Sequence, residues 1–496
     1  MLKTILRLDM HFNWFFQNLV ILILLVTPEL VWSQSVREVS YQPVPNSISS
    51  AALLLEEYVR IPSETGNENN AAYFLMQQCM KKGLIINKIT DSIGCVNFAA
   101  SVYPLHLAKP NIIFLNHIDV VHAGDPSEWT HPPYEGCIDN GKVWGRGALD
   151  NKGLAIIQLS AIGRFIDAAK SSDLPYNITL LCVSGEETGG AKGSAIVSKN
   201  FNKDFNPVVV IGEGGAGMDE VSLLPEGKTF FGISVAEKGL LWLQLSFEIH
   251  GAGHSSIAGS DYSNKHLILG LHKLVNKRQP IQMTKEAKLM FKSIGKKVGG
   301  FRGLAIKHLN WLVFRPFLNM FINKNLELEA IFCNTITVSN MRQPDASFNQ
   351  NMQEATAYVD CRLLPGTSPT DMIELIRKKI NDSLLHISIV REGPPQFSTH
   401  PEFFYDLISG ALQKTFAGSE VVPILFPASN DNSYFRAAGC PVYGLNPMII
   451  SRLQLKSIHN YNEYIDLEDI DKGIEVYESF LRSVLMLPTL DSKAGL

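Results

Sequence analysis

Cysteine is sparse and unorganised. Seven residues, Cys79, Cys95, Cys137, Cys182, Cys333, Cys361 and Cys440, are scattered through 496 positions, and no Cys-x-x-Cys pair occurs. The spacing argues against a thiolate zinc site and defines no disulfide framework, so most of these residues are expected to be small buried hydrophobes. A dominant charge of one sign is equally lacking. Lys and Arg number 44 against 48 Asp and Glu, for a net charge of -4, and no run of Lys or Arg is dense enough to neutralise several phosphates. The composition therefore argues against a nucleic-acid partner.

What is present suits a globular protein of two domains, because 496 residues exceed one typical core and a 46% hydrophobic content can fill two. The first 33 residues stand apart. Lys3 and Arg7 precede the apolar run Leu19 to Val26, Pro28 follows, and Val31-Trp32-Ser33 offers small residues where a signal peptidase cuts. A signal peptide ending at Ser33 is expected, giving a periplasmic or extracellular protein. The competing readings are an uncleaved anchor, lengthened by Phe15 and Phe16, and a buried helix.

After a polar lead-in from Val36 to Ser49, helical periodicity begins near Ala51 and strand and helix signals alternate to about Val235. This is the pattern of an α/β domain with a mixed, mostly parallel sheet flanked by helices. The character then changes. Leu240 to Ile249, Ala355 to Leu363 and His386 to Val390 read as strands and Pro369 to Ile380 as an amphipathic helix, the makings of a small α+β unit.

Chemistry-bearing residues sit where apolar runs stop. His117-Ile118-Asp119 closes Asn111 to Leu115; Glu186-Glu187 follows the run Asn177 to Val183; Glu213 follows Val208 to Gly212. Asp150 lies in Gly145-Arg146-Gly147-Ala148-Leu149-Asp150, and His459 far downstream in Ser457-Ile458-His459-Asn460. Short β-branched runs of this kind form buried parallel strands, whose carboxyl ends collect ligands at one sheet edge. A carboxylate doublet alone usually marks a solvated surface. Here it joins enough His and carboxylate donors for a two-metal cluster with a bridging carboxylate and ions about 3.5–4 Å apart.

The phrases Asn116-His117-Ile118-Asp119-Val120-Val121, Gly145 to Gly153, Gly185-Glu186-Glu187, Glu237-Lys238-Gly239, Gly253-His254-Ser255-Ser256 and Arg362-Leu363-Leu364-Pro365-Gly366 occur in one order across roughly residues 50 to 480. Together they resemble the di-zinc aminoacylase and carboxypeptidase metallopeptidases, particularly the carboxypeptidase S-like and N-fatty-acyl-amino-acid hydrolase branch. The resemblance implies a zinc-exopeptidase-like fold, with a catalytic domain at 50–237 and 395–485 split by an inserted lid or dimerisation domain at 238–394. It also implies two zinc ions per subunit, replaceable by cobalt or manganese. Asp150 would bridge them, His117 and Glu213 completing one and Glu187 and His459 the other.

Glu186 would then be the unligated general base. Asp119 would accept the second N–H of the His117 imidazole, the competing reading being a loop cap. His254 would stabilise the oxyanion from the lid, often that of a neighbouring subunit in a homodimer, with Asn349 beside it; a plain turn residue is the alternative for His254.

Within 284–325 an apolar series including Leu304, Ile306, Leu309, Trp311 and Phe314 reads first as core or subunit contact, and second as a wall for an acyl chain or a weak membrane contact. Two departures limit the resemblance. Gln350-Asn351-Met352 follows Asn349 in place of an apolar pair and proline, and Ser433 stands where close relatives carry an arginine, so bidentate capture of a free carboxylate is less secure than hydrolysis. The expected activity is cleavage of the amide of N-acyl amino acids or of C-terminal residues of short peptides, with a dipeptidase as runner-up. A catalytically dead binding protein is disfavoured because the proposed ligands and base are all present.

Overall fold

The computed structural model describes residues 48–90, 94–219, 228–250, 256, 261–276, 278–309, 326–342 and 351–486. The expected signal peptide, His254, Asn349 and residues 310–325 lie outside them.

Among the described residues the strands are β1 (Ile85–Thr90), β2 (Val96–Ser101), β3 (Asn111–His117), β4 (Cys137–Asp139), β5 (Lys142–Trp144), β6 (Asn177–Val183), β7 (Pro207–Met218), β8 (Phe230–Glu237), β9 (Gly239–Glu248), β10 (Thr335–Arg342), β11 (Glu354–Leu363), β12 (Leu385–Glu392), β13 (Glu420–Phe426), β14 (Val442–Ile449) and β15 (Tyr464–Asp466). Eight of them form one sheet in the order β1-β2-β6-β3-β7-β14-β8-β13. Its centre is parallel: β3 runs alongside both β6 and β7, and β7 alongside β14, while β1 and β2 add an antiparallel edge. β3 and β6 are buried at every position, which explains their unbroken apolar runs.

Helices cover the faces. Lys152–Gly163 and the C-terminal helix Leu467–Leu485 share a large core with Phe114, Ile178 and Ile211, and the Phe114 ring meets Tyr477 edge-on at 5.0 Å. β13 carries Pro423, tolerated because this strand is at the sheet's edge, where a missing N–H breaks no inner ladder.

The second sheet, β10-β11-β9-β12, is antiparallel. Helices Ser263–Val275 and Pro369–Ile380 bury Leu267, Leu271, Met372 and Ile376 against one face of it. This is the inserted α+β unit, and its strands alternate because only one face is covered.

The described part of the 284–325 segment packs elsewhere. Helix Lys285–Val298 turns Ala287, Met290, Phe291 and Ile294 toward Phe230 and Val422, on the outer strands of the large sheet. Ile306 joins that cluster, whereas Leu304 faces solvent. No described helix is long and apolar enough to cross a membrane. No disulfide joins any of the seven cysteines, all of which are described, and six are buried, as composition leads one to expect.

Candidate metal centre

The large sheet delivers His117, Glu186 and Glu187, and Glu213 along the neighbouring strands β3, β6 and β7. His117 is the last residue of β3, and the Glu186–Thr188 turn follows β6 directly. β7 runs on beyond the expected break, to Met218, so Glu213 lies within a strand rather than after one. Its backbone carbonyl is held by the side-chain amides of Asn430 (3.2 Å) and Asn432 (2.7 Å).

Asp150 comes from the glycine-rich turn before helix Lys152–Gly163. Gly147 there has φ +84°, and a Cβ on it would lie 2.6 Å from Val120 Cγ1, so no other residue fits without displacement. The turn is organised by a residue the sequence reading missed. Glu463, almost fully buried, accepts from Arg146 Nη1 (2.8 Å) and the backbone N–H of Gly147 (3.0 Å) on one oxygen, and from the N–H of Leu149 and Asp150 (both 2.9 Å) on the other.

The six expected residues converge. His117 Nε2 lies 3.2 Å from Asp150 Oδ1 and 3.5 Å from Glu213 Oε2. His459 Nε2, on a left-handed residue (φ 59°), lies 3.3 Å from Asp150 Oδ2 and 3.1 Å from Glu187 Oε2. Asp150 thus turns each oxygen to a different imidazole, and two triplets share it. Glu186 lies in ligating range of His117 and Glu213. The Asp150–Asn151 peptide is cis, and the Asn151 side chain donates to Glu213 Oε2 at 3.0 Å.

The role expected for Asp119 needs correction. His117 Nδ1 contacts the backbone carbonyl of Asp119 at 2.8 Å, while the nearest carboxylate oxygen is at 3.6 Å. The carboxylate is engaged elsewhere, accepting from the N–H of Glu186 (3.0 Å), the N–H of Glu187 (3.2 Å) and Thr65 Oγ1 (2.7 Å). Asp119 therefore fixes the imidazole through its main chain and the glutamate turn through its side chain.

The electrostatics show an excess of negative charge. Burial, with Glu213 nearby, pushes the Glu186 carboxyl well above its usual range, and burial together with Asp150 raises Glu187. Contacts to Asp150 and Glu187 push the His459 imidazole upward as well. Burial pushes a further carboxyl, Asp431, up to about 7, and its Oδ2 has no partner, nor has Glu187 Oε1. Buried carboxylates in this number call for compensating cations. Two imidazoles and three carboxylates without a thiol fit two divalent ions of the zinc type.

A cavity of about 270 Å³ opens beside Glu186, Glu187 and His459, bounded by Val121, Leu240, Trp242 and Tyr434. Arg362 also lines it, tied by Asp360 (2.9 and 3.0 Å) and by Ser429. From β12 of the second sheet, Arg391 donates to Gly189 O (2.5 Å) and to Tyr434 Oη (3.0 Å), so that sheet grips the glutamate turn itself. His254 and Asn349 are outside the described residues, but the flanks of their segments meet: Ile249 N donates to Gln353 O at 2.8 Å and Ser263 Oγ to Met352 O at 2.6 Å.

Comparison with known proteins identifies the family. The profile of Peptidase family M20/M25/M40 matches residues 113–483, more than half of the chain. The chain belongs to that family. It is a metallopeptidase-class hydrolase, and its relatives include a probable carboxypeptidase S-like 2 of Dictyostelium discoideum, 26% identical over 381 residues that cover 76% of this chain and 72% of that one. Another is the N-fatty-acyl-amino acid synthase/hydrolase PM20D1 of Xenopus tropicalis, 25% identical, with 75% and 72% covered. In fold the chain is similar to the M20 family metallo-carboxypeptidase Sso-CP2 of Sulfolobus solfataricus, with TM-score 0.68 and 23% identity over 89% of this chain and all of that one. A dinuclear metal-binding M20 peptidase of Bacillus subtilis, YXEP, shares the M20 fold at TM-score 0.51 and 10% identity, covering 88% of this chain and 98% of that one.

Proposed function

We propose that this M20 chain is a two-zinc amidohydrolase that cleaves N-acyl amino acids or the C-terminal residue of short peptides. One observation carries the reading: the two oxygens of Asp150 face two separate imidazoles, each accompanied by one further carboxylate. His117, Asp150 and Glu213 would hold one ion and His459, Asp150 and Glu187 the other. When bound, the pair supplies positive charge that lowers the pKa of water and polarises an amide carbonyl.

The protein's own groups do the rest. Glu186 is left over from both triplets and stands beside them; it takes the proton of the attacking water on its carboxylate and hands it to the leaving amine nitrogen. Asp119 keeps Glu186 and Glu187 apart in role by fixing both of their backbone N–H groups. The apolar wall of Val121, Leu240 and Trp242 accommodates an acyl or side-chain portion of the substrate, and its tested range should include acetyl, fatty-acyl and glycyl amides. His254 and Asn349 complete the oxyanion contacts in this reading. Export rests on the apolar run Leu19 to Val26 and the Val31-Trp32-Ser33 cut site.

The test separates base from ligand. Glu186→Gln should retain two metal equivalents while turnover on that amide panel falls by about 10² to 10⁴. Glu187→Gln should lose metal. Equal metal loss in both variants, or a wild type holding two ions but hydrolysing none of the amides, refutes the assignment.

A further inference from the structure

One helical hairpin carries a local excess of positive charge. Residues 284–309 hold six lysines and Arg302 against a single acid, Glu286, although the whole chain has a net charge of -4. Glu286 is buried and accepts from Ser398 Oγ at 2.5 Å, whereas all seven cationic residues are exposed.

The distribution is not that of an ordinary solvated helix. At 100° per residue, Lys285, Lys288, Lys292 and Lys296 fall within an arc of about 80° and extend along about 16 Å of helix. The opposite face, Ala287, Met290, Phe291 and Ile294, is consumed against Phe230 and Val422. The lysine face is therefore presented outward by a helix whose orientation is fixed. Lys297 lies off the stripe and pairs with Glu420 at 2.8 Å; among the described residues no carboxylate pairs with the four stripe lysines.

The second arm adds apolar surface. Gly299 and Gly300 turn the chain into helix Gly300–Lys307, and the two helices cross in contact, a Cβ on Gly295 lying 2.4 Å from Gly303 O and one on Gly303 lying 2.3 Å from Gly295 O. Such an approach holds the arms rigidly together. Phe301 and Leu304 on this arm are 69% and 48% exposed, next to Arg302 and Lys307. A stripe of lysines with a neighbouring exposed aromatic and aliphatic pair is the composition of interfacial helices: the cations meet anionic headgroups and the apolar side chains enter the acyl boundary.

We propose that this hairpin, residues 284–309, docks the protein on an anionic lipid bilayer surface. The inference rests on the hairpin's exterior and is independent of the catalytic reading. A soluble polyanion would use the lysines but leave Phe301 and Leu304 without a role, which is why the bilayer is preferred.

The test uses the full chain with vesicles of phosphatidylcholine alone and of phosphatidylcholine containing about a third phosphatidylserine, at low and high salt. The quantity read is the gain in partitioning on adding phosphatidylserine, so a contribution from the first 33 residues common to all variants cancels. In a variant with Lys285, Lys288, Lys292 and Lys296 all changed to Gln, the gain should shrink by roughly fivefold per lysine. Phe301→Ser with Leu304→Ser should weaken partitioning into the anionic vesicles, and both variants should retain wild-type amide hydrolysis and thermal midpoint. No gain in the wild type, an undiminished gain in the lysine variant, unaltered partitioning in the Phe301/Leu304 variant, or retention on soluble heparin without vesicle binding each overturns the proposal.

Discussion

Glu463→Gln tests whether the metal centre is built from its supporting carboxylate. The wild-type side chain is 1% exposed and receives four donors, two on each oxygen. Glutamine has the same shape but only one acceptor oxygen, so wherever its NH₂ is placed it confronts a pair of N–H donors. It also leaves the Arg146 guanidinium buried without its counter-charge; the Trp129 ring, 5.1 Å away, supplies no neutralising charge.

Breaking a buried ion pair from one side costs about 3–5 kcal/mol, and each orphaned donor adds about 1–3 kcal/mol where the turn cannot relax. At about 2.1 cal/mol/K per residue, the unit from Ser47 to Leu496, roughly 450 residues, loses about 1 °C per kcal/mol, so the calorimetric midpoint should fall by at least about 3–5 °C. Because one of the four donors is the Asp150 N–H, metal affinity should fall with it, by about 10- to 100-fold as for other groups that orient ligands. A midpoint within about 1 °C of wild type, together with unchanged metal content, would show that the turn holds its shape without Glu463 and refute the reasoning.

Asp150→Ala should lose both metals cooperatively, since it removes the one group shared by the two triplets; two retained ions with near-normal turnover would show that another residue bridges them. Arg391→Ala should keep the metals but lower kcat/KM by about tenfold through loss of the charged hydrogen bonds to Gly189 O and Tyr434, with partial recovery in Arg391→Lys, and an unaffected alanine variant would refute that link. A pH effect is expected at His266, on helix Ser263–Val275 beside the second sheet, whose imidazole is pushed up by Asp382 at 2.6 Å and Asp261 at 2.5 Å, with Lys273 also acting on Asp382 and the Phe247 ring alongside. A raised folded pKa stabilises fully below the unfolded value of about 6.5 and is lost as pH rises through the folded value, so the midpoint difference between wild type and His266→Gln should be largest below about 6.5 and shrink as the pH is raised above it; a flat difference refutes it.

The site was legible where local pattern decides position. His117 and the Glu186-Glu187 pair end strands whose apolar runs are complete, and parallel neighbours bring such ends together whatever the rest of the chain does. Glu463 left no such signal. It lies in Asn460-Tyr461-Asn462-Glu463, a polar stretch, and its function arises from four contacts with residues more than 300 positions away. Asp119 was misread for a physical reason: two residues beyond His117, its side chain was the natural partner for the imidazole, but two backbone N–H groups and a hydroxyl compete for the same oxygens and the main-chain carbonyl is nearer. The 284–325 segment is placed in the lid by its position in the sequence, whereas its described apolar face packs on the outer strands of the large sheet.

The turn from Gly185 to Gly190 shows how metal holding and substrate turnover can be separated in one loop. Its first half, which carries Glu186 and Glu187, is fixed by Asp119, two residues beyond the end of β3 in the large sheet, so these contacts do not involve the inserted unit. Its second half is fixed from the other side: the Gly189 carbonyl accepts both from Arg391 on β12 and from Tyr434, whose hydroxyl donates at 2.7 Å. Movement of the second sheet therefore acts first on Gly189 and the wall that Tyr434 gives the cavity, and reaches the base Glu186 through Thr188 and Glu187 and through the Gly189 N–H, which donates to the Glu186 carbonyl at 2.7 Å. Hence substitutions on the Arg391 side should alter turnover with metal content intact, while those on the Asp119 side should disturb both together.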